Sequence, residues 1–295
     1  MKGGLGNQIF QYATGRALSL RQLQKGFKPN EIKVDITGYG QSNGIDTMRS
    51  YTLGVFNIHA EIATPEEIRK LKYPFGIISK GWRFFRVKAL RQFNTNFNKN
   101  IFSLNKKNIY LDGFFQTEQY FMDQEAEIRR DLTLKIPLNP EARSISNTIK
   151  NTPNSVSLHV RRGDYVQDLK TNLNHGTCNP EYYSKALETL TSKINTDKSG
   201  ADFHIFVFSD DIAWVKENMP LSYPVTYVSS PNIKDYEELM LMSLCNHNII
   251  ANSSFSWWGA WLNNNPGKII IAPRRWVLKN ENGYKDIVPT SWIRI

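Results

Sequence analysis

The stretch HNIIANSSFSWWGAWLNNNPGKIIIAP, residues 247–273, decides the fold. It opens on a short apolar, β-branched run, HNIIAN, and closes on another, KIIIAP. Between them, SFSWWGAWLNN has helical spacing, with hydroxyl side chains placed to cap its start. A strand, a helix and a strand in that order make a crossover, and crossovers join parallel strands. Working back toward residue 150, the alternation continues. SVSLHV (155–160), FHIFVFS (203–209) and VTYVSS (225–230) read as strands. PEYYSKALETLTSKI, with Pro180 suited to a first turn, DIAWVKENM and DYEELMLMSLCN read as helices. Short apolar strands that lose their two-residue alternation are buried on both faces, so the second half is predicted to be a doubly wound parallel sheet.

The first half carries weaker signals. GGLGNQIFQYATGRALSL reads as a Gly-rich turn entering a helix, EIKVDI (31–36) and NIYLDGFFQ (108–116) as strands, and TEQYFMDQEAEIRRDL as a helix. A Gly-rich turn of this kind ordinarily follows a strand, yet only two residues precede Gly3; a first strand is expected to be missing, or the start to lie upstream. The polar segment NTIKNTPNS (147–155) is the expected linker, giving domains 1–150 and 151–295, as a 295-residue chain suggests.

Composition narrows the classes. Apolar residues make up 40% and charged residues 22%, which fits a packed globular protein and not a disordered one. No apolar run approaches a membrane span, and the start lacks the regions of a signal peptide. Cys178 and Cys245 lie far apart and match no metal spacing, so each reads as a reduced cytosolic thiol. The net charge of +10 is localised: residues 69–111 hold eleven Lys or Arg and no acid, and the remaining chain has 26 basic against 27 acidic residues. Such a segment suits nucleic acid, an anionic membrane or an acidic substrate. Within it, WRFFRVKALRQF (82–93) sets Trp82, Phe85, Ala89 and Phe93 near one helical face, interrupted by Arg86. A peripheral membrane helix and a solvated basic face over an ordinary buried helix both fit. A nucleic-acid-binding protein would instead show steeply salt-dependent affinity, but the basic segment excludes the motifs that follow.

In an open parallel sheet, ligands bind beyond the carboxyl ends of the strands. Those ends here carry HVRRGDY (159–165), FSDD (208–211), ANSSFSWWG (251–259) and APRRW (272–276). Arg161 and Arg162 are permanent cations whose planar forks suit phosphate oxygens. An Arg–Asp brace through Asp164 would occupy one of them and leave the other. NSSFS opens a helix whose N-terminus attracts anions, against the plainer reading that Ser253 or Ser254 simply caps it. Asp210 and Asp211 are adjacent, without the intervening residue of a metal-binding carboxylate pair; Asp211 is expected to cap DIAWVKENM, and no metal is expected. His159 is either a core histidine or a contact to a nucleotide base. Trp257, Trp258 and Trp261 have the spacing of a buried helical face. GGLGN matches neither the phosphate-loop nor the dinucleotide pattern, which disfavours ordinary nucleotide hydrolases and dehydrogenases. Two arginines, a helix N-terminus and a Gly-rich turn describe a diphosphate site.

These residues resemble a known family. GGLGNQIFQYATGRAL (3–18), HVRRGDYV (159–166), FSDDIAWVKENM (208–219) and the 247–273 stretch are similar to the bacterial α-1,2-fucosyltransferases, glycosyltransferase family 11. YTLGVFNI (51–58), LDGFFQTEQYF (111–121) and HGTCNPEYY (175–183) are lesser echoes, so the likeness touches nearly the whole chain. The resemblance implies a GT-B fold, two Rossmann-like domains facing across a cleft, with the acceptor bound by the first. It implies GDP-β-L-fucose as donor, no metal, and inverting transfer to O2 of a terminal galactose on an oligosaccharide or lipid-linked glycan. The setting implied is O-antigen or capsule synthesis, in the cytoplasm or peripherally at the inner face of the membrane, without nucleic acid. By the same analogy Arg161 holds the β-phosphate with Arg162 assisting or bracing, His159 and Glu238 face guanine, and Ser253 or Ser254 donates to the diphosphate. Glu238 stands where the family frequently has Asp. Gly4, Gly6, Asn7 and Gln8 face the donor from the other domain. Asp164 is the nominated general base, with His175 as a weaker candidate. Another fucosyl linkage, such as α-1,6, and a non-catalytic nucleotide-sugar-binding module are the alternatives.

Overall fold

The computed structural model describes residues 1–27, 31–39, 49–72, 87–91, 96–104, 108–163, 166, 172–173, 176–194, 203–279 and 284–295. The chain is α/β and divides into two compact units, Met1–Lys135 and Ile136–Ile295. The division falls before the expected boundary at 150/151. The segment assigned as a linker is in part a helix, α4 (Pro140–Lys150), capped by Asn139, whose side chain accepts from the Ala142 N–H. Glu237 fixes that helix in the second unit by accepting from the backbone N–H of Asn139 at 2.7 Å and from its side-chain amide at 2.8 Å.

The second unit is one six-stranded sheet, parallel throughout. Its strands are β5 (Asn154–Val160), β6 (Phe203–Ser209), β7 (Val225–Tyr227), β8 (His247–Ile249), β9 (Ile270–Ala272) and β10 (Ile293–Arg294). All the strands and helices read from the sequence here are present, and β10 is an addition that pairs with β9 at the sheet's edge. The helices are α5 (Pro180–Ile194), α6 (Ile212–Asn218), α7 (Asp235–Leu244) and α8 (Ser254–Leu262). The order β10-β9-β8-β5-β6-β7 reverses between β5 and β8, the arrangement of a doubly wound dinucleotide-type fold. Burial explains the apolar runs. On β6, Ile205 and Val207 pack toward α5 and α6, while Phe206 and Phe208 pack toward α4 and α7. Trp257, Trp258 and Trp261 are core residues, as their spacing predicts, and the Trp257 indole N–H donates to the Ile287 carbonyl at 2.7 Å.

The first unit is organised around α1 (Leu5–Gln24), which buries Ile9, Phe10, Ala13 and Ala17. Its strands form two separate parallel pairs: β1 (Lys33–Val34) with β2 (Glu61–Ile62), and β3 (Val87–Arg91) with β4 (Asn108–Asp112). Helix α2 (Pro65–Lys72) precedes β3. The expected helix over 117–132 is broken into two 3₁₀ turns followed by α3 (Glu125–Asp131), because Phe121, at φ −145° and ψ 1°, interrupts it. The amphipathic helix expected over 82–93 is also corrected. Residues 87–91 form a strand whose ladder to β4 imposes a two-residue period, so Ala89 belongs to no helical face. The rest of that stretch, and much of the basic segment 69–111, lies outside the described residues. Among the described residues, no helix is long and apolar enough to cross a membrane.

Candidate active site

Where the strand order reverses, β5 and β8 run side by side with Leu158 opposite Ile249. Their carboxyl ends therefore emerge together, one leading into Arg161 and Arg162, the other into Asn252, Ser253 and α8. Adjacent parallel strands leave a crevice at such a reversal, since the following helices depart to opposite faces. The sheet thus brings together the two arginines and the mouth of the Ser-rich helix.

Both arginines are held by the neighbouring strand end. Arg161 Nη1 lies 2.7 Å from Asp210 Oδ2, and Arg162 Nε lies 3.2 Å from Asp211 Oδ2. The Arg162 backbone N–H donates to Asp210 Oδ1 at 2.8 Å, and its guanidinium lies 3.5 Å from the Trp214 ring centroid. A cation over an aromatic face is further restrained. Gly163 makes room for this arrangement, because a Cβ there would lie 2.4 Å from Asp210 Oδ2. The brace expected from Asp164 falls outside the described residues, as does His175. The acids seen bracing the arginines are Asp210 and Asp211. Asp211 also caps α6 as expected, accepting from the Trp214 N–H at 3.2 Å. Their second role was hidden in the sequence, where some fifty positions separate groups that adjacent strands bring together. Among the described residues, no three His, Cys, Asp or Glu side chains cluster as metal ligands.

His159 is buried beside them, its ring 5.7 Å from that of Phe255. Burial, reinforced by the Arg161 charge, pushes its pKa down to about 3, so it is neutral at pH 7. Its Nδ1 has no hydrogen-bond partner among the described residues, which is costly for a buried polar atom. Glu238, in the first turn of α7, is half-buried. Burial raises its pKa to about 7; a hydrogen bond with the Ser229 side chain opposes the shift, while Asp235 and Asp210 add to it. Ser229 in turn accepts from the Ser209 N–H at 2.9 Å, tying this group to the end of β6.

Ser253 caps α8, its hydroxyl accepting from the Phe255 N–H at 3.3 Å, and Ser254 is the first helical residue. Asn252, to which sequence reading gave no role, anchors the rim. Its buried amide donates to the carbonyls of Gly176 (3.1 Å) and Trp276 (3.2 Å), joining two loops to the end of β8. The only hint in the sequence was its place between a strand and a capping serine.

Gly4, Gly6 and Asn7 stand in the first unit, at the start of α1. Gly3 has φ +82° and packs against Asn7, Gly4 is the helix N-cap without a side-chain bond, and Gly6 is buried. Asn7 Oδ1 accepts from Gln116 at 2.7 Å. Gln8 does not fit its expected ligand-facing role: it is fully buried, donates to the carbonyls of Gly3 and Ser50, and accepts from the Thr52 N–H. It fastens the Gly-rich turn to the following loop.

Known proteins are similar to this chain over its whole length. An α-1,2-colitosyltransferase of Escherichia coli is 34% identical over 100% of this chain and 97% of its own length. The O-antigen biosynthesis glycosyltransferase WbnK of Escherichia coli is 30% identical over 100% and 99%. Human galactoside alpha-(1,2)-fucosyltransferase 1 is 24% identical over 88% of this chain and 63% of its own. Residues 40–295, which hold the whole of the second unit and its strand-end crevice, match glycosyl transferase family 11, and the chain belongs to that family.

Proposed function

We propose that the protein transfers L-fucose from GDP-β-L-fucose, with inversion, to O2 of a terminal galactose during O-antigen or capsule assembly. The observation that carries this reading is the meeting of Arg161, Arg162 and the N-terminus of α8 at the reversal of the sheet. Cleavage of the sugar–phosphate bond builds negative charge on the β-phosphate. Preorganised cations and helix N–H groups stabilise that charge more in the transition state than in the ground state. In this reading Arg161 holds the β-phosphate, and Arg162, clamped by Asp211 and Trp214, braces the loop. Ser253 and Ser254 supply donors at the helix mouth. Neutral His159 offers its unpartnered Nδ1 to the guanine, and Glu238 accepts from guanine N–H groups once ionised. Gly4, Gly6 and Asn7 also contact the donor, and Asp164 takes the proton of the acceptor hydroxyl. No metal takes part, and the enzyme works in the cytoplasm, peripherally at the inner membrane face.

The names of the relatives support the α-1,2 linkage and the O-antigen setting. They also favour a second donor, GDP-colitose, since a relative covering the full chain is a colitosyltransferase. The test is product formation from each donor with lactose, in EDTA, followed by linkage analysis. Fucosyl transfer to O2 that persists in chelator is expected. Transfer from GDP-colitose alone would replace the donor, an α-1,6 product would replace the linkage, and activity lost to EDTA would overturn the metal-free mechanism.

A further inference from the structure

The carboxyl edge of the second unit's sheet runs on past Arg161 and Arg162 to the ends of β9 and β10, where the motif APRRW (272–276) has no role in the chemistry above. In the order β10-β9-β8-β5, a strand spacing of about 4.8 Å puts the end of β9 roughly 10 Å from the end of β5. The two ends carry their cations differently. Beside β5, Arg161 and Arg162 are matched by Asp210 and Asp211. Beside β9 and β10, residues 272–279 and 293–295 hold Arg274, Arg275, Lys279 and Arg294, all exposed, and no acidic side chain. Arg275 and Arg294 donate to the carbonyls of Leu278 and Val288, while Arg274 and Lys279 form no ion pair among the described residues.

Apolar side chains gather on the same edge. Among the described residues, the second unit exposes four large ones, Ile136, Val166, Leu173 and Leu278. Three of these stand on the loops that leave β5 and β9. Leu173 is 59% exposed and Leu278 46%. The loops meet at Gly176, which has φ +65° and no room for a Cβ, since one would lie 2.8 Å from Leu278 Cδ1. The Gly176 N–H donates to the Asn172 carbonyl at 2.8 Å, which folds Leu173 back beside that contact. Asn252 holds both loops through the carbonyls of Gly176 and Trp276, and Trp276 and Val277 are buried. A fixed base therefore turns leucines and cations outward together. Singly such residues are ordinary on a surface, but in combination they match an interface of negative charge over hydrocarbon.

We propose that this surface seats the protein on an anionic lipid bilayer, with Leu173 and Leu278 entering the headgroup layer and Arg274 and Lys279 meeting lipid phosphates. Charge selects the partner, because the cytoplasmic leaflet is negative and attracts basic surfaces. The contact takes the place of the amphipathic helix expected over 82–93, of which residues 87–91 are a strand. It rests on the membrane setting of the proposed function, and it puts the crevice, two strands away, within reach of the sugars of a lipid-linked glycan.

The test is flotation of the full chain with vesicles of phosphatidylcholine, alone or mixed with phosphatidylglycerol. Binding to the mixed vesicles only, weakening as salt rises, is expected. Arg274→Glu combined with Lys279→Glu should lower that affinity at least ten-fold, and Leu278→Asn about three-fold or more, with circular dichroism unchanged. Equal affinity of the unchanged chain and either variant would overturn the proposal, as would no binding to mixed vesicles. So would capture of a DNA duplex in preference to vesicles, or a dimer abolished by Leu278→Asn, which would give the surface to nucleic acid or to a second copy. Flotation needs no sugar donor, so a chain that floats but transfers no sugar to lactose would sink the donor reading and leave this one standing.

Discussion

The two units use the same elements to different effect. In the second, β5 is seven residues long and pairs on both edges, so six strands form one continuous sheet with a single reversal. In the first, the longest helix of the described chain, α1, accompanies strands of two and five residues that stay in separate pairs. A continuous parallel sheet fixes its strand ends relative to one another within a fraction of the strand spacing. Groups projecting from those ends are therefore preorganised, which electrostatic catalysis requires. Two isolated pairs offer no such common edge, and the polar groups at the start of α1 are held by side-chain staples such as Gln8.

The comparison can be broken most forcefully at the core of the second unit. Trp257→Ala removes a fully buried ring and its bond to Ile287, and should cost about 3–5 kcal/mol of stability, read as a lowered denaturation midpoint. A midpoint that does not move would mean that the sheet does not depend on α8. Next in size, Arg161→Ala should reduce kcat by roughly a hundred- to a thousand-fold, about 2.7–4 kcal/mol of barrier, with the fold intact by circular dichroism. Arg161→Lys should recover little, because the planar fork is lost. Near-normal turnover in either variant would remove the phosphate assignment.

Gly163→Ala sharpens the argument without deleting a charge. Its methyl group would displace Asp210 and with it the anchoring of Arg161, so kcat/KM should fall by about ten-fold while unfolding is little changed. The smallest effects are in pH. Glu238 has a folded pKa of about 7, raised above its ordinary value, so it is largely protonated below that pH. If the ionised form accepts guanine N–H groups, GDP affinity should weaken by up to about ten-fold per unit as pH falls below 7, measured by calorimetry. Glu238→Gln should flatten that dependence. His159 shifts the other way: with its folded pKa depressed to about 3, the stability it supports is present above the ordinary histidine pKa and lost as pH falls toward 3.

Legibility in the sequence follows the same divide. Strands buried on both faces carry no permanent charges and are rich in apolar residues, with Ser155, Ser157 and His159 interspersed on β5, so β5, β6 and their helices could be read directly, and with them the motifs at their ends. In the first unit a two-residue strand such as β1 leaves almost no periodic signal, and a ladder could be mistaken for a helical face over 87–91. The arginines were legible as a pair; their partners were not. Ion pairs between neighbouring strand ends depend on strand order, which no local pattern reports. Asn252 was missed because its bonds are to backbone carbonyls, which look alike in any sequence.

Asn252 also bears on how the molecule assembles. Its amide grips chain segments 76 positions earlier and 24 positions later, so the crevice rim exists only after nearly the whole second unit has been synthesised and folded. A nascent chain ending soon after α8 would already carry the arginines and the serines, but not the bracket that shapes their surroundings. Competence to hold a ligand would then arrive at the end of folding, which keeps incomplete chains from sequestering it.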